Sequence, residues 1–469
     1  MLKLSFSYVI VMIMLGGCAS QKTFTAPDAS AVLESDFQNT DKSMNDKRID
    51  ASQTVTDWWN TLNDKDLNFL IQESLQHNRS VLIAVQNVQK ARALLNESEL
   101  GYLPKTQSDI SATTGKSSDY GIAGKLPNRE YDLYSAGLGA SWEMDFFGRI
   151  SNEIKSQQAE YNISKQDLQT AYLVTASDTA QYYVMLRGVQ NRIQVAQENL
   201  KNQKKTFELI KLLVDSGSGN VLDLERAKSQ LASTESILPL LMAQMNVTMN
   251  RLGILTGKTP SALHEMLRIY KPLPDVPAII AVGKPIDLLK NRPDIIRATA
   301  NIEKSIARYN VTVADLYPKI SLTGNVGFLS TDISDFGKPA SSFLSFAPTL
   351  SWSVFDMGRI NKRIDASDKD TKIAVLNFEQ TVLNALEDTD NALVNFTQQE
   401  KNRQKLYDAV TSARKAQDYA QQRFDAGIDD FLSVLDAQRT VLQTENELSI
   451  SETNLLLNVI SIYKSLGGI

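Results

Sequence analysis

The chain has 469 residues, 42% of them hydrophobic but only 7% aromatic, and a formal net charge of -5. So mild a negative charge, with no basic stripe, excludes recognition of a phosphate backbone and hence a nucleic-acid partner. One cysteine and two histidines exclude an intrachain disulfide and leave few parts for a metal centre or a Cys/His or Ser/His nucleophile. No glycine-rich phosphate loop appears either, so the chain reads as a non-enzyme with no cofactor and no metal.

The first residues read as an export signal. Lys3 is the basic start, an apolar run extends from Tyr8 through Leu15, and Leu15-Gly16-Gly17-Cys18 closes it. The run is too short to span a bilayer. Cys18, directly after small residues, resembles the cysteine that is acylated in bacterial lipoproteins, and Ala19 stands where retention in the inner membrane would call for Asp. The competing reading is a chance cysteine near an ordinary cleavage site.

Further along, Lys105 to Thr114 alternates weakly, whereas Tyr134, Ala136, Leu138, Ala140, Trp142 and Met144 alternate cleanly with Ser135, Gly137, Gly139 and Ser141. This period of two predicts strands with one apolar and one polar face. Gly148 and Arg149 follow at the expected bend from strand to helix. A helix is predicted from Arg149 to Ser216, in which Gly188 is tolerated, and another from Val221 onward, which Pro239 should kink or break. Between them Asp215 to Asn220 is a turn, and Gly217 suits the left-handed residue that ends a helix.

The second half repeats this order. Ile320, Leu322, Val326 and Phe328 alternate with Ser321, Thr323, Asn325 and Gly327; Phe346, Leu350, Trp352 and Val354 alternate with Ser345, Thr349, Ser351 and Ser353. Gly358 and Arg359 mark a second bend. From Arg359 to Ala426 there is neither glycine nor proline, which predicts one helix on the order of 100 Å long. In it Val375, Phe378, Val382, Ala385, Thr389, Ala392 and Phe396 form a heptad seam, and Leu376, Leu383, Leu386 and Leu393 a second beside it. Two seams let one helix pack against neighbours on both sides, as a closed cylinder of helices requires. A second turn around Gly427 leads to a last helix, Ile428 to Leu466.

Trp142 and Gly148-Arg149-Ile150 recur as Trp352 and Gly358-Arg359-Ile360, and Gly217, Leu222 and Ala227 as Gly427, Leu432 and Ala437, each about 210 residues on. Asn78-Arg79 answers Asn291-Arg292, and Leu103-Pro104-Lys105 answers Tyr317-Pro318-Lys319. The chain therefore reads as two copies of one unit: short helix, two strands, long helix, turn, helix. The expected divisions are a signal peptide at 1–17, a lipid-anchored extended segment at 18–56, a first repeat at 57–252, a linker at 253–286 and a second repeat at 287–469. Four strands cannot close a barrel, and open edges in lipid leave unpaired amides, so subunits must pool strands. Two subunits fill their own lumen, while three give twelve strands and a passage.

Together these stations resemble the TolC-like outer-membrane factors, in the lipoprotein branch that serves resistance-nodulation-division efflux pumps. The residues that carry the resemblance are Asp57-Trp58-Trp59, Asn291-Arg292-Pro293-Asp294, Leu316 to Gly324, Trp142 to Arg149, Phe355 to Arg359, Val434 to Arg439 and the closing Leu466-Gly467-Gly468. The resemblance implies an α+β membrane protein: a homotrimeric twelve-stranded outer-membrane barrel on a twelve-helix periplasmic tunnel. It also implies an equatorial belt around Leu62 to Ala93 and Asp287 to Val313, where Pro293 and Asp294 suit a helix start. As partners it implies a periplasmic adaptor of the membrane fusion type, an inner-membrane transporter and outer-membrane lipid. Asp429 matches an acidic gate position of the family, and Asp430 adjoins it; the alternative is two solvated caps of the next helix. Gly217, Ser218, Gly219, Gly427 and Ile428 are adaptor-contact candidates by position. Arg149 and Arg359 are either junction residues or headgroup ligands. The competing functions are a lipid-anchored coiled-coil scaffold, a duct for type I protein secretion, and a hydrolase working with paired carboxylates.

Overall fold

A computed structural model describes residues 21–25, 49–50, 57–118, 120 and 130–468. The signal and Cys18 lie outside the described residues. In chain order the elements are β1 (Ile49–Asp50), α1 (Lys65–His77), α2 (Arg79–Glu99), β2 (Lys105–Lys116), β3 (Glu130–Met144), α3 (Arg149–Asp215), α4 (Val221–Leu255) and α5 (His264–Leu267). Then follow β4 (Ile280–Ala281), α6 (Pro285–Asn291), α7 (Pro293–Ala314), β5 (Lys319–Ser330), β6 (Ser342–Ser351), α8 (Met357–Asp425) and α9 (Phe431–Ser465). The chain forms two compact units, and each draws on both halves of the sequence.

The first unit comprises Val88–Ser164 and Arg297–Phe378 with the N-terminal residues. At its centre β2, β3, β5 and β6 form one antiparallel sheet in that order. The weak alternation of β2 is outweighed by unbroken pairing with β3 from Lys105↔Ser141 to Lys116↔Glu130. At the other edge β6 ends at Ser351, short of the predicted Val354. Val354–Asp356 instead makes a 3-10 turn that leads the chain into α8.

The second unit comprises Asp28–Asn87, Lys165–Ile296 and Glu379–Ile469. Its core holds Trp58, stacked on Tyr463 at 5.4 Å between centroids, and the buried Leu62, Leu67, Leu70, Leu186 and Ile460. Asp64 starts α1 by accepting the amides of Asp66 and Leu67 at 2.8 and 3.1 Å, and also accepts the Tyr183 hydroxyl at 2.6 Å. Burial pushes that phenol's pKa up. Arg187 is fully buried, an arrangement that requires partners: it donates to Gln190, to the Ile269 carbonyl and to Asp66.

One helix expectation is corrected and another is met with a reason the sequence did not show. Pro239 does not break α4, which runs through it from Val221 to Leu255. The cost of one lost backbone bond is outweighed by packing, since Ile237, Leu238, Leu241 and Met245 lie against Val189, Ile193 and Ala196 of α3. Gly188 is more than tolerated: a Cβ there would stand 2.2 Å from the Thr453 hydroxyl, so its absence lets α3 approach α9 closely.

In α8 the first seam is buried from Phe378 through Val382, Ala385, Thr389, Ala392 and Phe396. Of the second, Leu393 is buried, whereas Leu376 and Leu383 are exposed. Among the described residues no helix is long and apolar enough to cross a membrane. That statement leaves the strands open.

Candidate functional site

Residues paired directly across a sheet project to the same face, so the register defines both surfaces of the first unit's sheet. One carries Met144, Ile320 and Leu350; then Trp142 and Leu322; then Ala140 and Phe346; then Leu138, Val326 and Leu344; then Ile110, Ala136 and Phe328. The other carries Glu143, Ser321 and Thr349; then Lys105, Ser141 and Thr323; then Gln107, Gly139, Asn325 and Ser345. The apolar face is unpacked, with Ile110 86% and Leu344 82% exposed. A sheet in water buries such a face; one that meets lipid need not.

Towards the far end of β2 and β3 the two faces exchange character. Thr114 donates to Asp132 at 2.7 Å and Lys116 to Glu130 at 3.2 Å on the formerly apolar side, while Tyr131, Leu133 and Leu329 appear on the other. Between Met144 and Tyr134 the apolar band covers about the ten residues that a tilted strand needs to cross a hydrocarbon core. At its near end Trp142 donates its indole N–H to the Tyr102 carbonyl at 2.9 Å, and Trp352 donates to that of Leu316 at 3.0 Å. Amphipathic rings at that level suit the boundary between apolar and aqueous surroundings.

The two strand-to-helix bends differ. At the first, Gly148 has φ +74°. Arg149 forks onto Glu143 at 2.7 and 2.8 Å, and Asp145 accepts the amides of Ile150 and Ser151 at 2.9 and 2.8 Å. The Glu143 carboxylate raises the pKa of the Arg149 guanidinium. At the second, Gly358 lies one residue inside α8 rather than at the bend, and its φ is not positive. Arg359 is exposed and reaches only Asp356, at 3.7 Å.

The hairpin turns belong to the second unit and share one design. Gly217 and Gly427 have φ +80° and +68°. Ser218 N–H returns to the Leu213 carbonyl and Ile428 N–H to that of Arg423, the closure of a left-handed helix end. Gly219 is held by space: a Cβ would meet the Val214 nitrogen at 2.7 Å. Ser218 and Ile428 are exposed. Behind the turns Ile210, Ala227, Phe431 and Val434 form a small core.

Asp430 caps α9 by accepting the Ser433 amide at 3.2 Å, so that helix starts at Phe431 rather than Ile428. Asp429 accepts the Asp430 amide at 3.0 Å and the Arg423 guanidinium at 3.2 Å. These two donors, the amide first, hold its carboxyl below the ordinary carboxylate range. Sequence reading missed Arg423 and Glu143, which meet their partners only once a turn or bend has formed.

The fold and this two-faced sheet are those of an outer-membrane channel protein. The sequence profile of the outer membrane efflux protein family matches residues 70–258 and 285–468, and the chain belongs to that family. It is an outer-membrane efflux protein. Among similar proteins, nodulation protein T of Rhizobium leguminosarum bv. trifolii is 27% identical over 440 residues, 93% of this chain and 91% of that one. The probable outer membrane lipoprotein SilC of Salmonella typhimurium is 26% identical over 486 residues, 100% of this chain and 99% of that one. Among solved structures, the outer-membrane channel OprN is 32% identical with a TM-score of 0.87, covering 96% of this chain and 99% of OprN.

Proposed function

We propose that this chain is the exit duct of a tripartite efflux pump, a homotrimer that passes cargo from a periplasmic adaptor and an inner-membrane transporter to the exterior. The observation that carries this reading is a four-stranded sheet with an exposed apolar face, a polar reverse and two strands, β2 and β6, at its edges. Edges in lipid would leave a row of unsatisfied amides, each costing several kcal/mol or roughly that. Three copies joined β6 to β2 make a twelve-stranded closed wall with a wet lumen. The exposed Leu376 and Leu383 of α8 then meet a neighbouring subunit's helices, building a helical tunnel. The element order that runs twice along the chain supports descent from one duplicated unit.

In this reading Cys18 is acylated and anchors each subunit. The turns at Gly217, Ser218, Gly219, Gly427 and Ile428 face the adaptor, and Asp429 lines the closed gate. Because Asp429 is paired with Arg423, threefold symmetry would set three ion pairs around the axis rather than three bare carboxylates, which lessens the repulsion against closure. Asp430, committed to its helix cap, contributes less there. Among the relatives, the cation efflux system protein CusC of Escherichia coli and the toluene efflux pump protein TtgI of Pseudomonas putida carry different cargo in their names. A duct of this kind need not select its cargo chemically.

Planar-bilayer recording of the purified protein tests the reading. Discrete conductance steps that lengthen or enlarge in Asp429→Ala are expected. A silent wild type, with Asp429→Ala silent too, would favour a lipid-anchored scaffold.

A further inference from the structure

The first unit holds a short stretch of chain whose side chains bury no core of their own. Lys22 donates its backbone N–H to Asn310 Oδ1 at 2.8 Å, and Asn310 Nδ2 donates back to the Lys22 carbonyl at 2.8 Å. One amide side chain thus satisfies both main-chain groups of one residue, as a neighbouring strand would. Asn310, in α7, is 5% exposed. Without Lys22 it would lose both of these bonds and keep only a long one, from Nδ2 to Asn152 Oδ1 at 3.5 Å, which is costly for a buried amide.

The Lys22 ammonium lies 4.3 Å from the Tyr309 ring centroid and pairs with Asp368 of α8 at 2.5 Å. Asp368 also receives Lys369 and Lys372, at 3.2 and 3.1 Å. Gln21 Nε2 donates to the Phe147 carbonyl at 3.0 Å, and a Cβ on Gly148 would stand 2.9 Å from that same amide nitrogen. Two consecutive residues therefore tie together α7, α8 and the first strand-to-helix bend.

We propose that Asn310 and Asp368 form a seat for the segment just behind Cys18, and that its occupation by Gln21 and Lys22 fixes the lipid anchor beside the first strand-to-helix bend. This rests on the acylation of Cys18 proposed above. The four Cα-to-Cα steps from Cys18 to Lys22 reach at most about 14 Å when extended, so the cysteine that carries the acyl chains lies within that radius of the seat. The seat grips main chain and an ammonium, not lipid, so it holds whether or not the cysteine is modified.

Trypsin cuts after Lys22 only when the chain leaves the seat. Purified outer membranes carrying wild type, Asn310→Ala, Asn310→Asp or Asp368→Asn are digested, and the acylated Cys18–Lys22 peptide is followed by mass spectrometry. A parallel gel tests whether the trimer survives. Asn310→Asp keeps the volume but replaces the donor to the Lys22 carbonyl with an acceptor. Release is expected to be slow in the wild type, about tenfold faster in both Asn310 variants and intermediate in Asp368→Asn, as local opening becomes easier. Cys18→Ser yields no acylated peptide, so its cut is followed by the new amino terminus at Thr23 and should appear at the wild-type rate.

Equal rates at Lys22 in all variants would overturn the seat. A wild-type peptide without acyl chains would overturn the anchor, and a wild type with no trimer would overturn the barrel reading. In both cases the rate at Lys22 still decides the seat itself.

Discussion

The two strand-to-helix bends occupy matching positions in the two halves of the chain, and both end in Gly-Arg, yet only the first is locked. Arg149 finds Glu143 six residues back and grips it with two hydrogen bonds, while Asp145 closes the first turn of α3. Stepping about 210 residues on replaces Glu143 with Ser353 and Asp145 with Phe355, and Arg359 keeps only a distant Asp356. A recurring motif does not guarantee a recurring geometry. The shared Gly-Arg supplies a bend and a cation, and acids outside the shared residues decide whether that cation is fixed in place or presented to the surroundings.

The comparison is broken most forcefully by removing the fork. Arg149→Ala should destabilise the protein by about 2–3 kcal/mol, the range for a charge-assisted, partly buried pair. Arg359→Ala should cost no more than about 0.5 kcal/mol. Denaturant titration of the two variants, with Glu143→Ala completing a double-mutant cycle, measures the difference; equal costs would mean the fork contributes nothing.

Next in size are the glycines. Gly148→Ala should cost roughly 1–2 kcal/mol because its backbone is left-handed. Gly358→Ala, inside a helix with nothing within 4 Å of the added Cβ, should be neutral or gain up to about 1 kcal/mol. Opposite signs in thermal melts are the expected outcome.

Removing the cap with Asp145→Ala should cost about 1 kcal/mol, against no measurable change for Phe355→Ala in detergent, since Phe355 is fully exposed in the single chain. The smallest effect should come from installing the missing acid. Ser353→Glu should stabilise the second bend by no more than about 1 kcal/mol, and only if Arg359 is present, which a Ser353→Glu/Arg359→Ala double variant checks.

Much of this molecule was legible because its signals are local. Gly217 and Gly427 end helices where a left-handed residue is needed, and the alternation of β3 and β5 needs only a period of two. The α8 seam from Phe378 to Phe396 is buried as its spacing predicts. What escaped depends on residues far apart in sequence. The reason for Gly188 is Thr453 on another helix, and the seat for Lys22 is an asparagine 288 residues away. The ends of β6 and α9 were misplaced by a few residues because alternation and apolar content continue past them, whereas the 3-10 turn at Val354 and the cap at Asp430 follow from hydrogen bonds. Pro239 follows a related logic: its cost is local, whereas the packing of Ile237, Leu238 and Leu241 that outweighs it involves residues of another helix.

The four tryptophans divide evenly, two sealed in the second unit's interior and two, at 37% and 40% exposed, held by their indole hydrogen bonds at the rim of the apolar band. The protein thus carries its own pair of optical reporters. Brominated phospholipid should dim the emission of Trp142 and Trp352 and spare Trp58 and Trp59, so insertion of the wall can be timed by fluorescence without attaching a dye.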